Sequence, residues 1–115
     1  MNDGTQDRVA VSFPASPTFG RIGRVTIAGL GLRLGIGVSD VERLRTAADH
    51  AIDALSGTGR ISLEAFWEPG RLVLRLVNPD VTLDWECQTA LKQTLVSSLD
   101  DVSVTSNDVV MTLHS

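Results

Sequence analysis

Apolar residues alternate with polar ones in five short stretches of this chain, and they recur at helical spacing in three longer ones. Val9, Val11 and Phe13 alternate with Ala10 and Ser12, which predicts a first strand ending at Pro14. Ser16-Pro17 then has the form of a helix N-cap followed by proline at the first helical position. The helix it opens is expected to run to about Leu34 and to end in the Gly35-Ile36-Gly37 turn. Ser39-Asp40-Val41-Glu42 has the form of a capping box. Leu44, Ala47, Ala48, Ala51 and Leu55 follow at helical spacing, up to a stop at Ser56-Gly57-Thr58-Gly59. Ile61, Leu63, Ala65 and Trp67 alternate, as do Leu72, Leu74 and Leu76, with Pro69-Gly70 between them as the turn of an antiparallel hairpin. Asn78 to Asp84 is a loop, and Asp84 is placed to cap a third helix to about Leu99. Val102-Ser103-Val104 and Val109 to Leu113 complete the chain as a hairpin turning at Ser106-Asn107.

The expected order is strand, helix, helix, strand, strand, helix, strand, strand. Paired strands, rather than strict strand–helix alternation, favour an α+β two-layer sandwich, a mostly antiparallel sheet with helices on one face. With 115 residues, 43% of them hydrophobic and 21% charged, the chain suits one ordinary globular domain. Residues 1–7 are expected to be a flexible lead-in and residues 8–115 the domain.

Charge and composition exclude several functions. The net charge is −4, so no bulk footprint for nucleic acid is present. Nine arginines and Lys92 supply the cations; Arg21, Arg24, Arg33, Arg43 and Arg45 fall in the first half, as solvated helix faces or as a local patch. Cys87 is the one cysteine, so neither an internal disulfide nor a cysteine-rich zinc site can form. The start, Met1 to Gln6, does not read as a signal peptide. Val25 to Val38 is too short and too interrupted to span a bilayer. These features together lead to the expectation of a cytoplasmic protein.

The first predicted helix is more apolar than a two-layer fold requires. Ile22, Val25, Gly29 and Leu32 form one stripe, while Ile27, Leu30 and Leu34 form another on a different side. Gly23, Gly29 and Gly31 each cost roughly 1 kcal/mol against alanine in a helix interior. A helix that faces a second chain accounts for the spare stripe better than deep burial does.

Other candidate chemistry is thin. His50 and Asp53, at i and i+3, could pair or contribute to a metal site, but a further ligand is missing, since His114 cannot be placed. His50 with Cys87 or Ser56 as a nucleophilic pair has no supporting motif. Gly29-x-Gly31 and Gly35-x-Gly37 follow helical residues, not a strand, which rules against a dinucleotide fingerprint. Trp67 and Trp85 read as core or rim aromatics.

Three strings carry a resemblance. They are Gly23-Arg24-Val25-Thr26-Ile27-Ala28, then Leu44 to Leu55 (LRTAADHAIDAL), and Leu95-Val96-Ser97-Ser98-Leu99-Asp100-Asp101-Val102. In this order and spacing the chain resembles the histidine kinase-like (GHKL) ATPase domain, in particular the anti-sigma factor serine kinases of the RsbW and SpoIIAB type. The likeness runs from about Val9 to Leu113. It implies the histidine kinase-like ATPase fold and a homodimer formed through the first strand and first helix. It also implies a sigma factor or an anti-sigma antagonist protein as partner, with Arg24, Arg21, Ile27 and Leu30 on the partner-binding surface.

The nucleotide motifs that the resemblance leads one to look for are broken. His50 stands at the general-base position and Ala54 at that of the magnesium-binding asparagine; alanine has no ligating atom. Asp53 is adjacent, but one helical step turns a side chain by about 100°. Leu76-Val77-Asn78-Pro79-Asp80 lacks the glycine of the adenine-reading motif, and no glycine follows Asp80, so a glycine-rich phosphate lid is absent. Asn78, Asp80 and Asp53 are the remaining weak candidates for a nucleotide. The expectation is a non-catalytic anti-sigma-like regulator without catalytic residues, metal or cofactor, binding neither nucleic acid nor membrane. The alternative is a divergent serine kinase using ATP and magnesium.

Overall fold

A computed structural model describes residues 7–33, 37–68 and 70–114. Strand β1 (Asp7–Pro14) leads through a 3₁₀ turn (Pro17–Phe19) into helices α1 (Gly20–Arg33) and α2 (Val38–Leu55). The hairpin β2 (Arg60–Glu68) and β3 (Arg71–Val77) follows, then α3 (Trp85–Val96) and the hairpin β4 (Asp101–Val104) and β5 (Asp108–His114). The strands form one antiparallel sheet in the order β1-β2-β3-β5-β4. This is an α+β fold with the expected element order.

The register explains why one sheet face is covered. Phe13 lies opposite Ile61, Val11 opposite Leu63, Leu63 opposite Leu76, Leu74 opposite Met111 and Val102 opposite Met111. Side chains alternate between faces along a strand, so all of these point to one side. There they meet Ile27 and Leu30 of α1, Leu44, Ile52 and Leu55 of α2, and Leu91 and Leu95 of α3, all buried. Gly23 lets α1 approach β1: a Cβ there would lie 2.8 Å from Phe13 Cζ and 3.0 Å from Ile52 Cδ1.

Several boundaries differ from expectation. Asp7 belongs to β1, paired with Trp67, rather than to a lead-in. Ser16 makes no side-chain cap, although Pro17 does open the 3₁₀ turn. Ser39 does not cap α2: the helix begins two residues earlier than a Ser39 cap allows, from extended Gly37, whose carbonyl accepts from the Val41 amide at 3.0 Å. Ser39 is therefore already inside the helix, and Asp40 pairs with Arg43 at 2.9 Å. Helix α3 stops at Val96 rather than Leu99, because Leu99 turns into the core and the Asp100 amide donates to Thr112 in the sheet. Leu34 and the Gly35-Ile36 part of the first turn lie outside the described residues.

Candidate functional site

Two places in the fold bear on function, the outer face of α1 and the end of the sheet beside the C-terminus of α2. On α1 the described members of the two apolar stripes lie on different sides, Leu32 and Leu34 falling outside the described side chains. Ile27 and Leu30 are in the core, so their expected place on a partner surface is corrected: their side chains are committed to the sheet and α2. Ile22 and Val25 face outward, 41% and 66% exposed, and Phe19 at the preceding turn is 43% exposed. Gly29 continues this stripe, with nothing within 4 Å of where its Cβ would be. Arg21 is exposed beside the stripe. Arg24 lies over Gly20 and reaches Asp49 of α2, with Nε 3.4 Å from Oδ1. A contiguous exposed apolar patch of this kind marks an interaction site more often than scattered single residues do. Among the described residues, β1, next to α1, pairs only with β2 and is one edge of the sheet.

Phe19 extends the patch and was readable from sequence, since it precedes Ile22 by three residues. The Arg24–Asp49 pair joins two helices and had no sequence signal.

The residues at the nucleotide positions are scattered. His50 and Asp53 are exposed on α2, and Ala54 packs half-buried against the core. Among the described residues, no group of three or more His, Cys, Asp or Glu side chains is arranged to hold a metal ion. Cys87 is exposed in the first turn of α3, where Asp84 caps the helix by accepting from the Cys87 amide at 2.8 Å. That bond holds the Asp84 carboxyl below its ordinary value. The same carboxylate, through its hydrogen bond to Cys87, pushes the thiol up.

Asn78 and Asp80 do come together, in a tie between a side chain and the main chain. Asn78 is fully buried. Its Nδ2 donates to the carbonyls of Leu55 at 2.8 Å and Thr58 at 2.9 Å, and its Oδ1 accepts from the Asp80 amide at 3.0 Å. Both side-chain donors are used within the protein, and the Oδ1 acceptor is engaged as well. Asp80 folds over Gly59, which sits at φ +81°. The loop continues to Leu83, whose amide donates to Ser106 at 2.6 Å, so this short connection is tied at both ends. These residues do not fit a magnesium–ATP site: Ala54 offers no ligand, the Asn78 Oδ1 is turned to the Asp80 amide, and the loop is not a phosphate cradle.

No protein-family model matches the chain, and no curated protein matches it either. Among the described residues, no helix is long and apolar enough to cross a membrane.

Proposed function

We propose that the chain is a non-catalytic, anti-sigma-factor-like regulatory protein that acts by binding other proteins, on a histidine kinase-like ATPase fold whose nucleotide site has degenerated. The exposed stripe of Phe19, Ile22 and Val25 beside Arg21 and Arg24 carries the reading. A helix that has already buried Ile27 and Leu30 gains nothing in its own fold from a second apolar face in water. Supporting it, the element order behind the resemblance is also the order of the folded chain. In this reading a second copy pairs through the β1 edge and α1, while a sigma factor or antagonist protein engages Arg24 and its neighbours, in the cytoplasm.

The test is capture of purified candidate sigma factors and antagonist proteins by wild type, Val25→Asp and Arg24→Glu, with light scattering of each at tens of micromolar. Loss of capture in both variants, with unchanged circular dichroism, is expected. Equal capture by all three would remove α1 from the account.

A further inference from the structure

We infer that Asn78 is a latch that seals the end of the fold where the resembled family admits a nucleotide base. The position rests on the proposed resemblance; the seal rests on hydrogen bonds. Helix α2 ends at Leu55, and the chain must then cross to β2 through Ser56-Gly57-Thr58-Gly59. That crossing is tied to the end of β1 by Gly57 N–H donating to the Ala15 carbonyl at 2.7 Å and Ala15 N–H donating to Gly59 at 2.9 Å. On its other side, Asn78 Nδ2 holds the carbonyls of Leu55 and Thr58. The Asn78 amide then donates to Asn107 in the β4–β5 turn at 3.0 Å, and Leu83 fastens to Ser106 in the same turn. Asn78 thus joins three connections, its carboxamide holding the α2–β2 crossing to its own loop and its main-chain amide holding that loop to the β4–β5 turn.

The seal is chemically exclusive. Only a side chain with two N–H donors and an acceptor at this length satisfies two carbonyls and an amide at once, so asparagine fits and aspartate does not. A carboxylate at this position would face two carbonyl oxygens in a buried site, which is repulsive. An aspartate that reads an adenine amino group and an asparagine that binds Leu55 and Thr58 are therefore alternatives. Restoring the missing residues one by one will not reopen the site, because the end of the fold is now held shut by the same position.

Calorimetric titration with ATP and magnesium, on wild type, Ala54→Asn and Ala54→Asn/Asn78→Asp, tests this. With Asn78 in place, neither wild type nor Ala54→Asn is expected to give saturable heat at millimolar nucleotide, and the double variant should lose stability to denaturant. Saturable binding by Ala54→Asn, with the latch intact, would overturn the latch and leave the non-catalytic reading of the wild type standing, whereas binding by the double variant alone would support it. Binding by wild type would overturn both. Should the double variant not fold, or fold without binding, amide hydrogen exchange of Asn78→Ser decides. Faster exchange at Gly57, Asp80 and Leu83 together is the expected result, and a change confined to Asp80 would contradict it.

Discussion

At Asn78 a single carboxamide satisfies two main-chain carbonyls that belong to a different part of the chain. Truncation leaves both without that partner, the Leu55 carbonyl in a buried setting and the Thr58 carbonyl in a half-buried one. Asn78→Ala is expected to cost about 2–4 kcal/mol, read from chemical denaturation, whereas an effect under about 0.5 kcal/mol would mean that water replaces the amide. Gly59 makes the complementary point. At φ +81° an L side chain is strained, and a Cβ there would lie 2.1 Å from Asp80 Oδ2. Gly59→Ala should destabilise by more than about 1 kcal/mol, and Asp80→Ala in the same molecule should recover only the part due to the clash. Asp84 supplies a pH dependence. Its carboxyl is held below the ordinary 3.8 by the Cys87 amide, so its cap contributes fully above that value. The contribution is lost as pH falls from there through the lower folded-state value. Asp84→Asn keeps a capping oxygen without the titration, and its stability curve against acid should be flatter than that of wild type. Alternation and spacing announced none of the Asn78 bonds, because each joins positions some 20 residues apart or more, apart from the local turn to Asp80.

Among the elements, the strands were the most legible. Ile61, Leu63 and Ala65, Leu72, Leu74 and Leu76, and Val109, Met111 and Leu113 each alternate strictly, and burial on one face requires that alternation. Helix starts were less legible. Ser39-x-x-Glu42 matches a capping pattern, yet Gly37 begins the helix earlier, so a local signal lost to the chain's approach from α1. Helix α1 was half legible: both stripes were visible, but composition alone could not say which one faces the core. Its glycines separate the two surfaces by experiment. Gly29→Ala adds a methyl in open space and should stabilise by about 0.5–1 kcal/mol through helix propensity. Gly23→Ala places a methyl against Phe13 and Ile52 and should destabilise the fold. Thermal unfolding checks both, and equal effects at the two positions would contradict the assignment of faces.

Across the whole molecule, the two sheet faces are treated differently. Among the described residues no helix covers the far face, where Phe66, Val73, Val77 and Val110 lie half-buried. Arg8 sits over the Phe66 ring, 5.1 Å from its centroid, and pairs with Glu64. Arg75 reaches Glu64 at 3.7 Å and Asp108 at 3.0 Å, so one ladder of alternating charge crosses four strands. The arginine stems shield apolar carbons while their heads stay paired in water. Such exposed pairs are individually weak, and Glu64→Gln should cost about 1 kcal/mol at low salt and less in molar salt. A cost unchanged by salt would rule out the ionic ladder. The far face thus has its own cover, while the outer face of α1 presents Ile22 and Val25 openly.

As proposed, the chain is a regulator that has a tied sheet end in place of a nucleotide site and an exposed helix face for partners. Isothermal titration of the wild-type protein with ATP and magnesium, sensitive to a millimolar constant, tests that most directly. The account predicts no saturable heat at any concentration reached. Saturable binding would show that a nucleotide site survives despite Ala54 and the Asn78 latch, and would contradict it.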